Sequence, residues 1–347
     1  MRDNLEKILK NIKIFLINIL VFFISILIIE CFFGYWFKNE LSERLSSERN
    51  IERIYKFNFF NHKGTSFYKR NNQGFRVSEK EINKNNPDIV FVGGSTINQK
   101  FLNYEDTIVG RLQKRFEKIK IVNAGVDGMS ILGHINSFQL WFDKINNFNP
   151  KYYIFYIGIN DQTNLEKKDK INSVDYLIES SSKKNFIEYL ESNSFFYNKF
   201  RKLKTILFIK TGNDLFSNNI NDGEVVYGER TNKNFKYFSN FENNDQQTMF
   251  NEYYNSLLKN LTNKVKERNS EIIYITQISG NGMNKNLYII ANTILSHCKN
   301  YKLDCINLAK NANLDYEDFY DWAHLNPKGS KKVSDFLIEE LQKLSIN

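Results

Sequence analysis

Histidine, cysteine and proline are scarce: the 347 residues hold only 4 His, 3 Cys and 3 Pro. Three cysteines cannot build a disulfide framework, and Cys31, Cys298 and Cys305 lack the spacing of a structural zinc site. For Cys298 and Cys305 two readings stand open. One is a single bridge formed in an oxidising compartment; the other, preferred, is two small buried hydrophobes at a helix-to-strand connection. Nowhere do His, Cys, Asp and Glu cluster at metal-ligand spacing, so neither a metal nor a cofactor is expected. A basic stripe is lacking too. The formal charge is +9, but Lys and Arg are scattered among Asp and Glu, which argues against nucleic acid as a partner. No internal repeat is visible.

What the chain does have is apolar bulk, 41% hydrophobic and 15% aromatic residues, enough for a full core in one large domain with appendages. One long apolar run lies near the start. Residues 14–29 are almost wholly apolar, and residues 31–37 extend the run past Glu30. About 20 such residues cross a hydrocarbon core, so 14–37 reads as a transmembrane segment. Glu30 then lies near the far interface, with Tyr35 and Trp36 at headgroup level. Arg2, Lys7, Lys10 and Lys13 precede the run, which predicts a cytoplasmic N-terminus (1–13) and everything after about residue 38 outside the cytoplasm. A cleaved signal peptide is the rival reading. The run is long for one, no small-x-small cleavage site follows, and Glu30 ahead of Cys31 spoils a lipoprotein signal; a retained single-pass signal anchor is therefore expected.

Residues 38–86 are charged and Asn-rich and read as a juxtamembrane connection. From Asp88 short apolar strands alternate with helices. The run IVFVGGS precedes a helix near Thr107–Phe116, KIVNAGV a helix at Ile131–Ile145, and YYIFYIGIN closes the first half. EIIYITQIS, CINLA and helices near Gln247–Arg268, Leu287–Tyr301 and Pro327–Leu344 make the second. Such alternation predicts a three-layer αβα sandwich around a central parallel sheet over 87–345, interrupted by an insertion at about 162–244. Within that insertion, FFYNKFRKLKTILFIK (Phe195–Lys210) reads as an amphipathic cap on the core, with a helix lying on an anionic membrane as the alternative.

Parallel sheets bind ligands at the carboxyl ends of their strands, and there the polar residues gather. Ser95 follows Gly93-Gly94, Gly128 lies in NAGVDG, Asn160 in GIND, and Asp321 and His324 in DWAHLNPKG. A serine attacks an ester only if a base takes its proton, a third group orients that base, and donors stabilise the oxyanion. Each part has a candidate: Ser95 as nucleophile, His324 as base, Asp321 three residues earlier as its partner. Backbone N–H groups at Ser95 and Gly128 and the Asn160 amide are the candidate donors. His134 lies just past the second block and reads as a helix-surface residue, while His62 and His297 show no partner in the sequence.

These four blocks, in this order, resemble those of the SGNH (GDSL-like) hydrolase superfamily, and NNQGFRVSEKE resembles the lead-in of its bacterial membrane-anchored members. The resemblance spans about residues 71–340, leaving 162–244 unmatched. It implies a flavodoxin-like SGNH fold, a catalytic triad of Ser95, Asp321 and His324, and an oxyanion hole of Ser95, Gly128 and Asn160, with Gly125 as the alternative to Gly128. It departs at Gly94, where the common Gly-Asp-Ser has Asp. The implied activity is ester hydrolysis outside the cytoplasm, O-acetyl groups on cell-envelope carbohydrate being the first expectation. Acyl transfer, lipid or thioester hydrolysis, non-catalytic glycan binding and an assembly role for the insertion are the alternatives. The expected partners are a small-molecule or glycan ester and the membrane.

Overall fold

The computed structural model describes residues 2–33, 36, 49, 51–79, 86–162, 194–197, 224–226, 235–237 and 245–346. The chain divides into two compact units, Met1–Glu43 with Asp175–Asn218, and Arg44–Val174 with Asn219–Asn347. In the first, α1 (Arg2–Phe33) is one continuous helix. Its stretch Leu9–Phe33 has a mean hydropathy of 2.9 and none of it is buried, so it is long and apolar enough to cross a membrane.

The second unit is built on a mixed sheet of nine strands. Five are parallel and short: β4 (Ile89–Gly93), β5 (Ile121–Gly125), β6 (Tyr152–Tyr156), β9 (Glu271–Ile275) and β11 (Asp304–Ile306). They read as continuous apolar runs because both faces are covered. Ile89 and Phe91 look toward α3 (Ile108–Arg115) and α8 (Pro327–Lys343). Tyr153 and Phe155 pack on the other side against Phe138 and His134 of α4 (Ile131–Leu140), which in turn packs on α5 (Asp245–Lys266) and, through it, α6 (Lys285–Tyr301). Side-chain caps start these helices: Thr107 accepts from Gly110 N, Asn284 from Leu287 N, and Asn326, just before Pro327, from Gly329 N. The helix expected over 131–145 breaks at Trp141 into a 3₁₀ turn, Phe142–Lys144. The expected strand CINLA stops at Ile306, because the Asn307 side chain caps α7 (Leu308–Asn311).

Strand order in the parallel part is β11-β9-β6-β4-β5. The first strand, β4, is therefore flanked by the second on one side and the third on the other, which opens a crevice at its carboxyl end.

Residues 38–86 are not merely a connection. β1 (Ile51–Phe59) and β2 (His62–Arg70) form a nine-pair antiparallel hairpin, and β3 (Arg76–Val77) joins it to β5 through Arg76↔Asn123. The hairpin buries Ile51, Tyr55, Phe57 and Phe59 on the same side as Tyr68, Phe101 and Tyr320, and this apolar face is why the segment joins the domain. Of the insertion, β7 (Glu224–Val226) adds a parallel edge strand beside β1, and β8 (Lys236–Tyr237) pairs with β10 (Gly282–Met283). Besides these, only Gln162, Ser194–Tyr197 and Phe235 lie among its described residues, so the cap expected over Phe195–Lys210 falls mostly outside them.

Two further expectations are corrected. Cys298 and Cys305 form a disulfide with Cα atoms 6.1 Å apart, tying the end of α6 to β11. His134 is not on the surface but 1% exposed, its ring against Phe155.

Candidate active site

At the end of β4, Gly94 is extended and caps α2 (Ser95–Asn98), so Ser95 takes the first helical position. An amide there has no carbonyl one turn behind it and points out of the helix. Gly94 is required by close approach: a Cβ at this position would lie 2.2 Å from Asn160 Nδ2. The Asn160 amide thus occupies space that any side chain at position 94 would enter.

The second loop turns sharply after β5. Met129 N donates to Val126 O at 3.2 Å, and Gly128, at φ 71°, adopts the left-handed conformation that the turn needs. Gly125 lies within β5, its carbonyl accepting from Arg70 Nη1 at 2.8 Å, whereas Gly128 is exposed on the loop. The third loop is fastened to the second, because Asn160 Nδ2 donates to Met129 O at 2.9 Å.

The fourth loop brings the charged pair. Asp321 Oδ1 accepts from Ala323 N at 2.8 Å and His324 N at 2.7 Å, while Oδ2 lies 2.7 Å from His324 Nδ1. His324 Nε2 is 2.7 Å from Ser95 Oγ. Burial alone would raise the Asp321 carboxyl, but the hydrogen bond and charge of His324 and the two backbone amides outweigh it and hold the group below the usual carboxylate range. An ionised Asp321 at Nδ1 keeps the proton on that nitrogen and leaves the Nε2 lone pair facing the serine hydroxyl. This arrangement can withdraw the Ser95 proton as Oγ attacks a carbonyl carbon. The Ser95 N–H, the exposed Gly128 turn and the Asn160 amide are the donors that the neighbouring loops offer.

Several supporting residues belong to no catalytic motif of the sequence. Tyr320 stacks on the His324 ring, centroids 5.5 Å apart and planes at 9°, and Phe59 of the hairpin stacks on Tyr320 at 4.6 Å. His62 joins the same stack and bonds Phe101 O at 2.7 Å through Nε2. His297 also has partners, Thr262 and Asn255. Gln277, just past β9, accepts from Ile159 N at 2.6 Å and donates to Thr96 Oγ1 at 2.9 Å, tying the Asn160 loop to α2. Its position, polar at the carboxyl end of the fourth parallel strand, was the available clue. Asp161 is buried and accepts from Ile131 N and Tyr254 OH, both at 3.0 Å; desolvation pushes it up to about 6 against those bonds.

Beneath α2 lie two buried arginines. Arg76 donates to Asn98 O and Leu102 O, and Arg70 to Gly74 O and Gly125 O. Burial pulls the Arg76 guanidinium down to about 10, which leaves it charged at neutral pH. Asn98 also donates to Asp127, which pairs with Lys100 at 2.9 Å. Among the described residues no group of three His, Cys, Asp or Glu side chains could hold a metal ion.

A doubly wound αβα sheet whose switch point presents a hydrogen-bonded serine, histidine and aspartate is the frame of a hydrolase. The description of GDSL-like lipases and acylhydrolases matches residues 89–337, more than half of the chain, and the chain belongs to that family. It is thus a hydrolase acting on esters. Similar solved structures include a member of the lipolytic protein G-D-S-L family from Veillonella parvula, 11% identical, covering 72% of this chain and 96% of that one with a TM-score of 0.42. An acetyl xylan esterase from Geobacillus stearothermophilus is 12% identical over 74% of this chain and 94% of its own, TM-score 0.41. A GDSL-like lipase from Bacteroides thetaiotaomicron is 10% identical over 74% and 88%, TM-score 0.40. No curated protein matches.

Proposed function

We propose that the protein is a membrane-anchored serine esterase working outside the cytoplasm, with Ser95 as nucleophile, His324 as general base and Asp321 as its orienting partner. The observation that carries this reading is the unbroken chain from Asp321 Oδ2 through the imidazole to Ser95 Oγ, 2.7 Å at each link. Ser95 Oγ attacks the ester carbonyl as its proton passes to His324 Nε2. The tetrahedral oxyanion is held by Ser95 N–H, Gly128 N–H and the Asn160 amide, and the departing alcohol takes the proton from His324. Water then attacks the acyl-Ser95 ester, gives its proton to His324, and releases the acid as Ser95 recovers the proton.

The substrate class we favour is an O-acetylated envelope carbohydrate. Trp322, between Asp321 and His324 and 48% exposed, offers a flat apolar face beside the site of the kind that packs on a sugar ring. Retention of α1 as a signal anchor with its N-terminus inside is supported by the basic residues that precede the apolar run. The Cys298–Cys305 disulfide supports an oxidising compartment for the domain. The test is hydrolysis of p-nitrophenyl acetate and longer acyl esters by the wild type, Ser95→Ala and His324→Ala. Activity lost in both variants, with labelling of Ser95 by a serine-reactive phosphonate, is the expected result. A folded wild type that hydrolyses no ester and takes no label overturns the triad.

A further inference from the structure

The first unit contains a built contact that esterase chemistry does not use. Glu30 is the one acidic residue in Leu9–Phe33. Its carboxylate accepts four hydrogen bonds: Ser194 Oγ at 2.5 Å and Phe196 N at 3.0 Å on Oε1, and Trp36 Nε1 and Phe195 N, both at 2.9 Å, on Oε2. Ser194 in turn caps the turn it begins, accepting from Tyr197 N at 3.0 Å. The Phe33 and Phe195 rings meet at 5.6 Å, and Phe32, Phe33 and Phe196 remain exposed around the carboxylate.

In water a carboxylate needs none of these partners. At a bilayer boundary it does, because an unsatisfied charge there is expensive, and four donors are what would let it stay. The position fits as well. Lys13 and Glu30 bracket the apolar run, and at 1.5 Å per residue they lie roughly 25 Å apart, close to the thickness of a hydrocarbon core. The indole and the exposed phenyl rings at the Glu30 end are the side chains that settle at headgroup level. In the sequence Lys199, Arg201, Lys202 and Lys204 follow directly, charge that favours anionic headgroups.

We propose that Ser194–Tyr197 docks on the lipid–water interface, with Glu30 as the latch that fastens this part of the insertion to the end of the membrane helix. The inference rests on α1 being a retained membrane anchor. The partner it names is the headgroup layer of a bilayer containing anionic lipid.

The test uses the full chain reconstituted into phosphatidylcholine–phosphatidylglycerol vesicles. Cys31→Ser with Phe196→Cys carries an environment-sensitive NBD label at position 196, and lipids with a nitroxide near the headgroup or deep in the chain serve as quenchers. Flotation of the protein with the vesicles reports the anchor independently. The expected result is flotation, strong quenching by the headgroup-proximal nitroxide, protection from aqueous iodide, and loss of both quenching and protection when Glu30→Ala is added while flotation persists. Flotation with a label that iodide quenches and no nitroxide reaches overturns the docking and leaves the anchor standing. Quenching unchanged by Glu30→Ala overturns the latch. Failure to float overturns the anchor and the docking with it.

Discussion

A methyl group at position 94 would meet Asn160 Nδ2 at 2.2 Å, and that atom is the movable end of a side chain, so Gly94→Ala is cheap for the fold and costly for the site. Its melting temperature should stay close to that of the wild type while kcat on p-nitrophenyl acetate drops by about 10²-fold, the scale of losing one oxyanion donor. Aspartate, which the Gly-Asp-Ser pattern carries at this place, meets the same obstacle and should do no better. Wild-type rates in either variant would overturn the proposed role of Asn160 as an oxyanion donor. A second prediction concerns Asp161, pushed from 3.8 up to about 6 by burial. A raised carboxyl favours the protonated form in the folded chain, so stability is full below about pH 3.8 and is lost as pH rises through about 6. Asp161→Asn keeps an acceptor for Ile131 N and lets Tyr254 accept in place of donating. It should flatten the pH dependence between 4 and 6 and stabilise the fold at pH 8 by on the order of 2–3 kcal/mol, each pKa unit being worth about 1.4 kcal/mol. Urea unfolding across that range decides it: parallel pH profiles in the two proteins would sink the idea. The residues that could be picked out beforehand, Ser95, Asn160, Asp321 and His324, share one feature, polarity at the end of an apolar strand or beside a proline-started helix. Asp161 and Gln277 have the same feature, but their partners come from α4, α5 and the neighbouring loops, which no local spacing reveals.

The hairpin β1–β2 supplies Phe59, which stacks on Tyr320, and Tyr320 in turn stacks on His324. Phe59 is buried and meets Tyr320, which in turn lies against His324, so it acts by positioning. Phe59→Ala should destabilise the domain by about 3–5 kcal/mol, as a large-to-small change in a packed cluster does. It should also lower kcat several-fold with KM nearly unchanged, and Phe59→Leu should restore most of both. A kcat equal to that of the wild type in a destabilised Phe59→Ala would confine the hairpin to a purely structural part. The parallel strands were legible because each is a buried apolar run ended by glycine or a polar loop, and the helices because Thr107, Asn284 and Asn326 cap them. The hairpin was not. Its two-residue alternation is clear from Tyr55 to Phe59 but breaks upstream, where Ile54 points to solvent with 63% exposure. Arg70 and Arg76 obscure it further, since arginine ordinarily marks a surface. Here the carbonyls of Gly74, Asn98, Leu102 and Gly125 draw both inside.

On the scale of the whole molecule, the apolar run of α1 was visible from composition alone, whereas the start of the domain was not, because charge and asparagine hide the strands between residues 51 and 77. Where the folding unit begins is therefore a physical question with two answers to compare: a chain starting at Arg44 and one starting at Pro87. The second lacks β1, β2 and β3. Without them β5 becomes an open edge with unpaired backbone groups, a template for aggregation. Phe101, Leu102 and Tyr320 lose the apolar face that covers them. The carbonyls of Asn98 and Leu102 lose the buried guanidinium of Arg76, and that of Gly125 loses Arg70, which together brace the helix carrying Ser95. The 44–347 chain should unfold in one cooperative transition and hydrolyse p-nitrophenyl acetate. The 87–347 chain should aggregate or melt without a sharp transition, and be inactive even where soluble. Because both chains keep the same insertion and lack the same N-terminal helix, any difference between them belongs to residues 44–86, which carry the three strands; equal activity in the two would mean that the parallel sheet holds Ser95 and His324 in register unaided.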